Sequence, residues 1–252
     1  MLLMVEYSVE FETAFGESGA VCFRDPLAFQ GFVFELSDLL SSVPAAGVLL
    51  ESLKVKNLLH FYHSLRVGLL FHDLMNQFGS SEIPFAGVAG VLHDVGKVFI
   101  PDVVLCKPGR HDVFERKVME AHNRLGYLSI IGSDLRDRLP GLAELAVYHH
   151  KYPRTGSERR DSERRQLVLF PDVGERSGER RALQRRFRNE VLESSGRFLM
   201  IADIFDALRS RRDYKPSFDE GKTKTIIEET FCGSSEISSC ADYLLGAYGV
   251  ND

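Results

Sequence analysis

The stretch VLHDVGKVFIP, residues 91–101, sets a histidine, an aspartate and a lysine at the end of an apolar run: His93, Asp94 and Lys97. Burying a His–Asp pair is costly unless something compensates it. A metal ion is one compensation, and a satisfied core imidazole beside a surface carboxylate is another. Other residues turn toward the interior in the same way. His63 lies four after Leu59, four before Val67 and seven before Leu70, so helical spacing puts it on their face together with Arg66. His122 follows Val118 by four and precedes Leu125 by three. His149 follows Leu142 by seven, Leu145 by four and Ala146 by three, with His150 beside it. Asp203 is the only charged residue of FLMIADIF.

Each of these has a structural alternative. A single histidine can be a core residue, His149–His150 can end a helix whose carbonyls favour imidazolium, and Asp203 can cap a neighbouring helix. Taken together they occupy separate helical segments, and the core of a bundle is where such side chains converge. Imidazole nitrogens and carboxylate oxygens, with no cysteine among them, suit Fe, Mn, Zn or Ni. Carboxylates that bridge two ions about 3.5–4 Å apart form the arrangement used to hydrolyse phosphate esters.

The elements that would carry these residues are almost all helical. Residues 4–12 alternate apolar and polar, which predicts a strand with one wet face. The run from Asp25 and Pro26 to Pro44 reads as a helix, and residues 1–45 as an N-terminal extension. From residue 46 to residue 252 the pattern predicts one helical bundle. Its segments are one or two helices ending at Gly79, a short apolar helix stopping at Gly96, and helices over 113–131 and 141–150. A further helix covers 182–210, with a candidate break at Ser194 to Gly196. The fold class is therefore mainly α, with a short strand and helix ahead of it.

The chain has 252 residues, 44% of them hydrophobic, 27% charged, and a formal net charge of -5. Residues 151–188 hold twelve Lys or Arg against six Asp or Glu, a net of +6, which leaves -11 for the remainder. A basic segment in an acidic chain marks either a solvated loop or a phosphate-bearing ligand. Four cysteines, Cys22, Cys106, Cys232 and Cys240, form no CxxC pair, so neither a disulfide scaffold nor a zinc ribbon is expected. No apolar stretch is long enough to span a bilayer and no signal-like region opens the sequence, so a cytoplasmic protein is expected, with no membrane partner. No nucleic-acid polymer is expected as a partner either.

The motif order resembles the HD superfamily of metal-dependent phosphohydrolases and, within it, the HD-GYP branch. HSLRV at 63–67, LHDVGKVFIP at 92–101, LCKPG at 105–109, EAHNRLG at 120–126, YHH at 148–150 and IADIFDALRSRRDYKP at 201–216 carry the likeness over roughly residues 55–216. The resemblance implies an all-helical domain holding two divalent ions, Fe or Mn first and Ni or Zn also compatible. It implies His63, His93, Asp94, His122, His149, His150 and Asp203 as metal ligands, with Asp94 bridging. It implies Lys97, Arg212 and Lys215 as groups that grip the phosphate, and Asp206 as a partner that orients a ligand. The implied reaction is hydrolysis of cyclic di-GMP to pGpG or GMP by a metal-activated hydroxide, with Asp94 and Lys97 at the reacting phosphate. Alternatives are a cyclic-dinucleotide sensor with weak turnover and a phosphohydrolase for another nucleotide.

Two positions depart from that pattern. The branch continues its His-His pair with a run ending Gly-Tyr-Pro, whereas this chain reads HHKYPRTGSERR, with Glu158 at the expected tyrosine. Members with three ions carry a glutamate four residues before the first histidine, where this chain has Leu59, so two ions are expected. Residues 157–188 are read as a charged insertion, whose Arg159, Arg160, Arg164 and Arg165 could replace the tyrosine's contact with substrate. A homodimer or a protein partner could use the N-terminal extension.

Overall fold

Asn57 divides the first long helical stretch in two. The helix α1, Pro44–Lys56, begins with proline at a position where its missing N–H costs nothing. Asn57 is extended, and its side chain accepts from the backbone N–H of His60 at 3.0 Å, capping α2, Leu58–Phe78. Every residue of α2 from Phe61 to Phe71 is buried. A helix covered on all sides is the centre of a bundle, and α1, α3 and α8 pack around it.

The computed structural model describes residues 43–79, 85–139, 141–149, 190–210, 217–231 and 234–248, with residues 10, 13–14, 30–35, 38 and 42 ahead of them. Next in order come α3 (Ala86–Leu92), a 3₁₀ turn (Val95–Phe99), α4 (Asp102–Leu105), α5 (Val113–Ile131), α6 (Leu135–Arg138) and α7 (Leu142–Tyr148). Then follow α8 (Glu190–Arg209), α9 (Glu220–Thr230) and α10 (Ser235–Ala247). No strand occurs among the described residues.

Two glycine contacts set the geometry that matters. A Cβ on Gly90 would lie 2.6 Å from the Cα of Gly68, so α2 and α3 meet backbone to backbone. A Cβ on Gly96 would lie 1.8 Å from the carbonyl oxygen of His122 and 2.4 Å from the N of Gly126. The 3₁₀ turn therefore presses directly on α5, and only glycine fits there. The helix α5 opens with a capping box, in which Asp112 accepts from the N–H of Glu115 while Glu115 accepts from that of Asp112.

The sequence reading is corrected at several points. The apolar helix stops at Leu92 and not at Gly96, because the imidazole of His93 takes the carbonyl of Gly90 and Asp94 leaves helical backbone angles. The helix α8 runs unbroken through Ser194–Gly196, since packing against the core, with Ser195 buried, outweighs three weak helix formers. Within the expected strand at 4–12 the described residue, Glu10, is helical, and the rest of that segment lies outside the described residues. A two-residue alternation is a weak signal beside tertiary burial. Ala14, Phe32 and Val33 all enter the main core, and the ring of Phe32 lies 5.3 Å from that of His72. Residues 30–35 are helical as expected, while Asp25 and Pro26 lie outside the described residues. The hydroxyl of Tyr248, beyond α10, donates to Asp73 of α2. Among the described residues no helix is long and apolar enough to cross a membrane.

Candidate metal centre

His63 on α2, His93 and Asp94 after α3, His122 on α5, His149 at the end of α7 and Asp203 on α8 converge on one point. The Oδ2 of Asp94 lies 3.3 Å from Nε2 of His93 and 3.6 Å from Nε2 of His63. Its Oδ1 lies 3.2 Å from Nε2 of His122 and 3.9 Å from Nε2 of His149. Asp203 adds Oδ1 at 3.1 Å from Nε2 of His63. One carboxylate thus faces two histidine pairs, one with each oxygen. Two overlapping groups, His63–His93–Asp94 and Asp94–His122–His149, could each hold a metal ion.

All four imidazoles are set the same way round. The Nδ1–H of His93 donates to the carbonyl of Gly90 at 2.7 Å, that of His122 to Met119 at 2.5 Å and that of His149 to Ala146 at 2.5 Å. In each case the acceptor is three residues earlier, in the turn that carries the histidine. His63 differs, donating from Nδ1 to Oδ2 of Asp206 at 2.7 Å. A carbonyl oxygen can only accept, so Nδ1 of His93, His122 and His149 bears a proton, as does Nδ1 of His63 beside the Asp206 carboxylate, and every ring turns its Nε2 toward Asp94. That is how metal-binding histidines are oriented. A buried lone pair facing a carboxylate is repulsive unless a cation lies between them. His93 Nε2 is buried and makes no hydrogen bond. The donor set therefore fits a divalent metal of the N/O-preferring kind.

The electrostatics point the same way. Burial pushes the Asp94 carboxyl up, but the imidazoles of His93 and His122 and the ammonium of Lys97 around it hold it well below the usual carboxylate range. Burial lowers the basicity of His63, yet hydrogen bonds to Asp203 and Asp206 and their charges outweigh it and raise its pKa to about 9. Asp206 is held well below the ordinary carboxylate range; burial opposes this, and the Arg66 guanidinium and His63 overcome it. The centre attracts positive charge.

Lys97 stands at the rim, its ammonium donating to Oδ2 of Asp94 and lying 3.4 Å from Nδ1 of His60. The side chains of Asp203 and Lys97 are 24% and 14% exposed, against 3% for Asp94, so the cluster opens to solvent on their side.

His150, Arg212 and Lys215 lie outside the described residues, as do Glu158 and the charged segment 157–188. Asp206 stands behind His63 as the sequence suggested, while the Arg66–Asp206 pair was not foreseen. Its signal was available: an arginine on the same helical face as His63 needs a buried carboxylate, and Asp206 follows Asp203 by three. His60 beside Lys97 was also missed, for a reason sequence cannot supply, since the two meet across 37 positions.

A convergence of five helical elements of this kind, with a His–Asp pair at its hub, is the site of an HD domain. The HD domain family model matches residues 60–208, more than half of the chain, and the chain belongs to that family. It is similar to a cyclic di-GMP phosphodiesterase of Vibrio cholerae, 36% identical over 146 residues, covering 55% of this chain and 24% of that protein. It is similar to a cyclic di-GMP phosphodiesterase of Thermotoga maritima, 33% identical over 176 residues, 66% of this chain and 41% of that one. A 3'3'-cGAMP-specific phosphodiesterase 2 of Vibrio cholerae is 33% identical over 162 residues, 63% of this chain and 26% of that protein. The chain thus spans between a quarter and two fifths of the length of these relatives.

Proposed function

We propose that this chain is a metal-dependent phosphodiesterase that opens a cyclic dinucleotide, cyclic di-GMP first among them, to linear pGpG or GMP. The observation that carries this reading is Asp94, whose two oxygens each address a separate histidine pair, as a carboxylate bridging two ions must. His63, His93 and Asp203 would hold one divalent ion, Fe or Mn, and His122 and His149 the other, with His150 joining them. Ions so held supply a lowered pKa for water and charge that offsets the phosphate.

The chain's own groups do the rest. Backbone carbonyls of Gly90, Met119 and Ala146 fix the ring orientation of three histidines, and Asp206 fixes the fourth. Lys97 stands at the open side, where its ammonium meets negative charge developing on the phosphate. Arg212 and Lys215 would grip the nucleotide's other phosphate groups. Residues 46–252 would form the HD unit, with residues 1–45 an N-terminal extension. A ligand sensor with weak turnover is favoured by one feature, Glu158 in place of the branch's tyrosine.

The test is product analysis of cyclic di-GMP and of 3'3'-cGAMP incubated with Mn²⁺- or Fe²⁺-loaded protein, with His93→Ala plus Asp94→Ala as control. Linear product from either, absent in the control, is expected. Binding of cyclic di-GMP without product from fully loaded protein would overturn the enzyme reading in favour of the sensor.

A further inference from the structure

Of the four histidines around Asp94, three are oriented by a carbonyl of their own helical turn, and His63 alone depends on side chains from elsewhere. Its Nδ1–H is received by Asp206, on α8, whose carboxylate is saturated. Besides His63 it accepts from Arg66 Nε at 2.6 Å, Arg66 Nη2 at 3.1 Å and the hydroxyl of Ser210 at 3.1 Å. Arg66 is buried one helical turn after His63, so the same helix carries the ligand and the group that fixes the ligand's partner. Its remaining forked nitrogen, Nη1, donates at 2.9 Å to the backbone carbonyl of Ala14, itself fully buried.

We infer that Arg66 is a positioning residue for the metal centre, and that through it the N-terminal segment at Ala14 sets the orientation of His63. The inference rests on the metal-centre reading above and extends it to Ala14, which is outside the ligand set. The guanidinium serves because its fork is planar and rigid. Two nitrogens fix the plane of the Asp206 carboxylate, and the third fixes the guanidinium against the N-terminal backbone. A shift of Ala14 therefore turns the guanidinium, then the carboxylate, then the His63 ring. A lysine at position 66 would keep the charge but lacks the planar fork that holds Asp206 and the Ala14 carbonyl together.

The test uses the full chain, with Mn²⁺ as the probe, and reads calorimetric titration and low-temperature EPR of the Mn²⁺-loaded protein. Folding is checked for each variant by circular dichroism. In Arg66→Lys one of two Mn²⁺ sites, that of His63, should lose about 10–100-fold in affinity, the range seen when a group behind a metal ligand is changed. The other site should stay within threefold, and the spin-coupled pair signal should fade. Turnover should fall in kcat with KM kept. Arg66→Gln, which loses the fork and the charge, should bind worse than Arg66→Lys. Ala14→Leu, which enlarges a fully buried side chain, should weaken the same site severalfold while leaving every metal-facing residue unmutated.

Folded Arg66→Lys and Arg66→Gln with wild-type Mn²⁺ affinity would overturn the positioning role. Wild-type affinity in folded Ala14→Leu would overturn the N-terminal link. Wild-type protein that takes up Mn²⁺ in two steps yet cleaves neither cyclic dinucleotide would sink the proposed function alone, and the titrations would still decide the role of Arg66. Wild-type protein that takes up no Mn²⁺ would overturn both.

Discussion

Replacing Gly96 by alanine is the most economical way to attack the centre without touching a metal-facing side chain. The new methyl would sit 1.8 Å from the His122 carbonyl oxygen and 2.4 Å from the Gly126 nitrogen, both backbone atoms that no rotamer change can move. A carbon and a carbonyl oxygen approach to about 3.3 Å, so α5 must retreat by about 1.5 Å from the 3₁₀ turn. Overpacking of a tight core costs about 1–3 kcal/mol, and the involvement of backbone places this case near 3 kcal/mol. For a chain of this size that lowers Tm by roughly 6–12 °C. His122 rides on α5, so its 3.2 Å approach to Asp94 opens by a comparable distance. Metal sites tolerate only about 0.2 Å, and a misplacement near 1 Å costs about 10²-fold in rate. Gly47→Ala is the matched control, because its Cβ meets nothing within 4 Å and α1 gains a better helix former. The assays are thermal melts, a Mn²⁺ titration and turnover of cyclic di-GMP. Gly96→Ala with a Tm within 2 °C of Gly47→Ala and unchanged Mn²⁺ affinity would refute the packing argument.

Metal-free protein should lose stability between pH 6.5 and about 9, because His63 is raised to about 9 in the folded state and its contribution is complete below its unfolded value. Urea midpoints in chelator at pH 6 and pH 9.5 should differ by about 3 kcal/mol in unfolding free energy; a flat profile would contradict it. At the acid end the depressed carboxyls of Asp94 and Asp206 contribute stability above the ordinary aspartate pKa and lose it as pH falls below that value. Mn²⁺ at a hundredfold excess over Kd should stabilise the fold by about 2.7 kcal/mol, with chelator reversing the shift in Tm. Asp112→Ala removes the α5 cap and should cost about 1 kcal/mol, visible as a drop of a few degrees in Tm with KM unchanged.

Much of the fold could be read from apolar spacing. The helix over 113–131 and the buried faces of His63, His122 and His149 follow from three- and four-residue intervals, and the structure brings these side chains together with His93, Asp94 and Asp203. What escaped was decided by contacts distant in sequence. The break at Asn57 turns on one side-chain cap inside an otherwise helical pattern. The early end of α3 turns on a single imidazole taking a carbonyl. Arg66 and Asp206 meet across 140 positions, and an isolated arginine on an apolar face does not say which carboxylate it will find. The helical Glu10 within an alternating segment pairs with Lys54 of α1 at 2.8 Å, a contact that propensity cannot anticipate.

The spacing of the centre along the chain also constrains how it can be assembled. His63, His93–Asp94, His122 and His149 lie within 87 positions, on elements between α2 and α7. Asp203 and Asp206 come more than a hundred positions after Asp94, on α8. Contacts close in sequence form early, and distant ones wait for the entropy of a long closure to be overcome. His93, His122 and His149, each ring fixed by its own turn, need nothing from α8, whereas His63 takes its orientation from Asp206 of that helix. An ion held beside Asp94 would favour the docking of α8, which brings Asp203 and Asp206 to His63, so metal would act as a latch between the near and the distant parts of the chain.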